Sequence, residues 1–185
     1  MPEILIDHAR LAKRAEEFGF RRGDFQELKA GLRLAEELTG QSMATPESII
    51  WIDSLTSMTG WVTGDPVDGI FISVPLSAHG VQAVRDGTFV PAWPALAHVC
   101  CEGEACAGVY IGIYAGATKE ARRRVMMAAA VVRVDICGPI PCFARGATED
   151  GKRSMASLGF QPIEGGLSDL WGQEALPQTE AEKAA

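Results

Sequence analysis

Arg122, Arg123 and Arg124 form a compact positive cluster in a chain whose formal net charge is -7. Such a cluster can hold a small anion such as a phosphate without the whole protein being basic; the plainer reading is a solvated first turn of an amphipathic helix. Cysteines offer a second chemistry. Cys101 and Cys106 enclose four residues, as do Cys137 and Cys142, and His98 lies close to the first pair. Zinc tolerates that spacing, and a cysteine paired with His98 or His79 could be a nucleophile. Against both, Cys106 and Cys142 fall in apolar runs where cysteine acts as a small hydrophobe, and three scattered histidines form no signature. No metal is therefore expected. Trp51, Trp61, Trp93 and Trp171 could wall an acyl or aromatic pocket, or simply fill the core.

Any such groups must be positioned by a scaffold, and 185 residues with 47% hydrophobic side chains suffice for one packed domain. We expect that domain over residues 1–172, its first 45 residues helical, followed by a small, polar, disordered tail from Gln173 to Ala185. The acidic balance disfavours a nucleic-acid partner. No apolar run approaches the roughly 20 residues a membrane helix requires, and the N-terminus lacks the basic-then-apolar order of a secretory signal. An odd set of five cysteines argues for free thiols, so a cytoplasmic location is expected.

From Asp7 to Thr39 the chain is charged with helical period, divided at Gly23-Asp24; Leu28, Leu32, Ala35 and Leu38 make one apolar stripe and Gly40 ends the second helix. Ser48 to Asp53 reads as a strand or a buried helical turn. Gly60 to Thr63 and Gly69 to Leu76 are strands of a hairpin, and Ser77 to Pro94 is an excursion holding a short strand or helix. Ala105 to Ala115 is an apolar strand run. Thr118 then caps a helix reaching about Val134, Pro141 to Arg145 is a second strand, and a short helix follows Thr148-Glu149-Asp150. Strand, helix, strand, helix with short links implies parallel strands joined by a right-handed crossover.

The stretch CFARGATEDGKRSMASLGFQPIEG resembles the end of the GNAT-type N-acyltransferase fold, in which a strand leads to a helix reading Asn-x-x-Ala-x-x-x-Tyr-x-x-x-Gly-Phe and then a hairpin. Gly159 and Phe160 match the end of that pattern. The resemblance implies an α/β (α+β) fold: a mixed sheet with antiparallel N-terminal strands, two splayed parallel central strands, flanking helices and additional N-terminal helices. It further implies acetyl-CoA or another acyl-CoA as cosubstrate, its pantetheine arm lying between strands Val109 to Ala115 and Pro141 to Arg145, and its pyrophosphate at a helix N-terminus. The parting is expected near Tyr114 and Phe143. Ile113, Tyr114, Thr118, Lys119, Arg122, Arg123 and Thr148 are the implied cofactor-binding residues, with the amides of Lys119, Glu120 and Ala121 free.

Transfer would need a base for the amine and an acid for the thiolate. By the same resemblance Glu102 and Glu104, just before the binding strand, are candidate bases. The acid's Tyr position holds Met155 and the Asn position holds Thr148, so Ser154, Tyr110, Tyr114 or a water would have to serve. The phosphate turn also departs from the family pattern, because its glycine is displaced to Gly116 and Glu120 opposes an anion. Two functions follow: an acyltransferase acting on a small-molecule or protein amine, or a catalytically degenerate GNAT-like binding or regulatory module. A third reading is a partner-binding domain whose N-terminal helices supply a homodimer face.

Overall fold

The computed structural model describes residues 2–41 and 44–176. Its elements run β1 (Ile4–Leu5), α1 (His8–Glu17), β2 (Phe20–Arg22), α2 (Phe25–Thr39), α3 (Pro46–Thr56), β3 (Gly60–Thr63), β4 (Gly69–Leu76) and α4 (Ala78–Asp86). There follow β5 (Ala105–Cys106), β6 (Gly108–Gly116), α5 (Lys119–Val131), β7 (Cys142–Arg145), α6 (Glu149–Ser157), β8 (Gln161–Pro162) and β9 (Leu170–Gln173). Among the described residues no helix is long and apolar enough to cross a membrane.

Local chemistry explains the helix ends. Asp24 and Glu27 form a reciprocal capping box at α2, which stops where Gly40 turns left-handed at φ 66°. Leu28, Leu32 and Ala35 bury the expected stripe, but Leu38 stays half exposed at the mouth of a cavity. Thr45 caps α3 with Pro46 in its first turn, so the Ile-rich stretch from Ser48 is helix and not strand.

Seven strands form one sheet in the order β2-β3-β4-β6-β7-β9-β8, antiparallel everywhere except between β6 and β7. The β3–β4 hairpin and the parallel β6–α5–β7 crossover lie as the sequence predicts. Strand β2 was missed because its only inward residue is Phe20, flanked by exposed Arg21 and Arg22. Helices cover both faces: α1, α5 and Met155 of α6 share one core cluster, while α2, α3 and α4 supply the clusters opposite.

Two irregularities shape the centre. Opposite β4 the ladder steps from Ile72↔Ile113 to Ser73↔Ile111, so Gly112 is an extra residue, a bulge. The bulge inverts the alternation of β6: Val109 and Ile111 pack with α5, whereas Ile113 and Ala115 pack with α2. Beyond α5 the backbone widens into a π turn over Val132–Ile136. Within that turn Arg133 is only 5% exposed and donates to Gln173 Oε1 (2.6 Å) and to the carbonyls of Cys137, Gly138, Ile140 and Glu174. Gln173, expected to open the tail, therefore ends β9 and helps cage a buried cation; residues 177–185 lie outside the described residues.

Candidate functional site

Strands β6 and β7 pair only over Val109↔Cys142, Tyr110↔Phe143 and Ile111↔Ala144. Beyond the Gly112 bulge β6 runs on to Gly116 with no strand among the described residues on its β7 side, so the backbone that would have continued the ladder is left for another partner. The parting begins after Ile111 and Ala144, later along β7 than expected, since Phe143 is still in the ladder. Between the separating strands opens a cavity of about 400 Å³ bordered by β6, by the first turns of α5 and α6 and by the end of α2.

One end of this slot meets the N-terminus of α5. Thr118 Oγ1 accepts from the Ala121 amide at 3.0 Å, which corrects the expectation that this amide is free, while those of Lys119 and Glu120 keep no protein acceptor among the described residues. Gly116 packs so tightly on the turn that a Cβ there would lie 2.5 Å from the Arg122 nitrogen. The arginines divide. Arg124 is held by Glu120 and by Asp68 at 2.6 Å, Arg122 lines the cavity, and Arg123 is exposed; neither of the latter two has a protein partner among the described residues. Both anchored and unanchored cations are therefore present, and no side chain of the protein plugs the unanchored pair.

Ile113, Tyr114, Thr148 and Ser154 line the same cavity as Arg122. Tyr114 donates its hydroxyl to the Gly151 carbonyl at 3.3 Å, bridging β6 to α6, and burial raises its pKa above the ordinary phenol value. Thr148 is the cap of α6, accepting from the Gly151 amide at 3.0 Å. Thr118, Lys119 and Arg123 stand at the α5 tip but are not among the lining residues. Met155 turns into the core at 2% exposure, is not among the residues lining the slot, and its thioether has no proton to give.

Tyr110 points to the opposite face. There it packs on Phe89 with ring centroids 5.2 Å apart and lines a second cavity of about 260 Å³; burial pushes its pKa up to about 12. The two cavities share Gly112, Ile113, Arg145 and Ala147, so they meet at the bulge. Glu102 and Glu104 line neither. They precede β5, before the end of β6 opposite to its bulge, with Glu102 accepting from Ser57 at 2.7 Å and Glu104 from the Cys101 amide at 2.9 Å.

Sequence reasoning overlooked three contributors. Gly112 could have been suspected as a glycine within an apolar strand run; Arg145 and Asp169 carried no local signal, since the cavity they line is assembled from distant segments. The tryptophans do not wall either cavity: Trp61 is buried, and Trp51 stacks on exposed Trp93 with centroids 5.3 Å apart. Among the described residues no three of His, Cys, Asp and Glu gather as metal ligands. Cys142 has its pKa pushed up to about 12 by burial, and Cys137 is raised for the same reason, which suits packing and not nucleophilic attack.

No family model matches the sequence, and no curated protein matches it significantly. Solved structures do resemble the fold. An acetyltransferase of the GNAT family from Streptococcus agalactiae 2603 superposes with TM-score 0.53 at 14% identity, over 86% of this chain and 95% of that one. A Staphylococcus aureus Mu50 protein described as an acetyltransferase gives 0.51 at 15% identity, over 84% and 97%. Ard1 from Thermoplasma volcanium gives 0.50 at 13% identity, over 85% and 97%. The chain thus has the fold of the GNAT acetyltransferases, as the Gly159-Phe160 signature implied.

Proposed function

We propose that the chain is an acyltransferase that moves an acyl group from a CoA thioester to an amine. The observation that carries this reading is the parting of β6 from β7 at the Gly112 bulge, beside which a cavity at the cationic helix tip adjoins a second one that shares four of its lining residues. A pantetheine arm has amide groups spaced to complete the ladder that β6 leaves open from Gly112 to Gly116. The Lys119 and Glu120 amides, the α5 dipole and the Arg122 and Arg123 guanidiniums suit its phosphates.

In this reading the acyl carbon lies where the cavities meet, and the acceptor enters from the second. The neutral amine attacks, an N–C bond forms and the C–S bond breaks. Tyr114 is suited to return a proton to the departing thiolate, because burial keeps its phenol protonated and its hydroxyl borders the slot; Ser154 is the other hydroxyl there. The amine's surplus proton leaves to water or to Asp169, the one carboxylate lining the second cavity among the described residues.

Calorimetric titration with acetyl-CoA, longer acyl-CoAs and free CoA tests the donor. Binding should raise the melting temperature by mass action. If none of these ligands binds, the transferase reading fails. Met155, buried where the family keeps an acid, favours a second reading in which the scaffold binds acyl-CoA without transfer. Binding with no acylated product from any amine would establish that one.

A further inference from the structure

Two side chains of opposite charge, Arg145 and Asp169, line the second cavity, and no ion pair joins them among the described residues. Arg145 directs Nε to the Ser168 carbonyl at 2.8 Å and Nη2 to the Ser168 hydroxyl at 2.7 Å, which fixes the guanidinium and leaves Nη1 without a protein acceptor. Asp169 is one of two non-glycine residues with a left-handed backbone among the described residues, at φ 54°, pinned by its carbonyl accepting from the Gly146 amide at 3.0 Å. Its carboxylate makes no hydrogen bond with the described residues and lies within electrostatic reach of Lys152, whose pKa it helps to raise after Glu149. The same cavity is lined by the apolar side chains of Ile49, Ile72, Val74, Pro91 and Ala92, together with Gln41 and Tyr110.

Both side chains are exposed, and the two charges do not pair with each other among the described residues. Arg145 is instead tied through Nε and Nη2 to Ser168, and Asp169 through its backbone carbonyl to Gly146, which leaves Nη1 and the carboxylate available to a molecule carrying both complements. The cavity, about 260 Å³, falls below the 300–1,000 Å³ that accommodates drug-sized ligands. A peptide N-terminus would supply the ammonium but present an amide to Arg145.

We infer that the acceptor is a free α-amino acid with an apolar side chain, its ammonium on Asp169, its carboxylate on Arg145 and its side chain against Ile49, Ile72 and Val74. The inference rests on the acyltransferase reading for the word acceptor, but the binding site itself is tested without a donor. Valine, isobutylamine, isovalerate and valinamide present both charges, the cation, the anion, and the cation with a neutral carboxyl. Calorimetric or NMR titration of the full chain should find valine bound about tenfold tighter than any of the other three.

D169N should weaken valine and isobutylamine by about tenfold and leave isovalerate unchanged; R145Q should weaken valine and isovalerate and leave isobutylamine unchanged. Because Arg145 also holds Ser168, R145K and an unchanged melting temperature distinguish loss of charge from loss of the loop. Valine bound no better than isobutylamine or valinamide, or no binding by all four, overturns the inference. Valine binding without acetyl-CoA binding would keep this site and sink the transferase; acetyl-CoA binding without valine binding would do the reverse.

Discussion

The two helices that begin at the slot start alike and differ in whether their basic residues are paired. Thr118 and Thr148 each cap a helix by accepting the amide three residues on, at 3.0 Å in both cases. At α6 the first turn carries Glu149 and Asp150, which complement the helix dipole and pair with Lys152 and Arg153. At α5 the first turn carries Lys119 beside Glu120; Arg124 is neutralised by Glu120 and Asp68, while Arg122 and Arg123, at the positions that Lys152 and Arg153 hold in α6, have no acidic partner among the described residues. A helix that served the fold alone would be built like α6. The α5 tip instead leaves Arg122 at the cavity and Arg123 beside it without acidic partners among the described residues, an arrangement that an anionic ligand would complete.

The residue joining the two helices should show the largest effect. Tyr114 leaves the strand that feeds α5 and donates to Gly151 in the first turn of α6. Y114F should lower kcat about 100-fold with little change in acyl-CoA affinity, whereas a full-rate Y114F with an impaired S154A would transfer the proton role to α6. Since burial raises the Tyr114 pKa, the phenol keeps its proton past its usual value of about 10, and the alkaline fall in kcat should lie above that pH. A fall centred at pH 8 to 9 would point to another acid.

Charge reversal at α5 comes next. R122E combined with R123E should weaken acetyl-CoA binding about 30-fold by calorimetry, while E149Q with D150N should change it less than about twofold. Equal losses from both pairs would mean the tips are not distinguished by the ligand. G116V tests the backbone that sets the α5 tip: its Cβ would meet the Arg122 nitrogen at 2.5 Å, so stability should fall by about 2 kcal/mol, or about 6 °C in Tm. An unaltered Tm would show that the turn relaxes freely.

How far the sequence revealed this contrast depends on the range of the interaction. Thr118, Thr148, Gly40 and Gly159 were readable because a cap or a left-handed turn is decided by residues within one helical turn; Gly159 indeed sits at φ 85°. The β3–β4 hairpin and the β6–α5–β7 crossover were readable from period and spacing. By contrast, β2 is three residues long and shows one buried side chain, so neither period nor length could register it. The Gly112 bulge exists only as a mismatch with β4, some forty positions away, and it inverts which β6 residues face each side. Arg145 and Asp169 are brought together by the pairing of β7 with β9, where Arg145 lies opposite Leu170, and no local pattern anticipates that register. The same limit misdirected the acid and the bases: counting along α6 gave Met155, which the helix turns inward, and proximity to β6 in sequence gave Glu102 and Glu104, which precede the wrong end of the strand.

The smallest expected effect gives the finest comparison of the two tips. T118A and T148A each remove one cap and should each cost about 1 kcal/mol of stability, read as nearly equal falls in Tm. Their effects on ligand binding should differ. Losing the Thr118 hydroxyl frees the Ala121 amide beside those of Lys119 and Glu120, so a phosphate at α5 gains a third donor and acetyl-CoA affinity is held or rises slightly relative to stability. Losing the Thr148 hydroxyl frees an amide beside Glu149 and Asp150, where an anion is repelled, so affinity should be unaffected or fall. If T148A strengthens acetyl-CoA binding and T118A weakens it, the phosphates belong at α6 and the cationic first turn of α5 is a solvated surface.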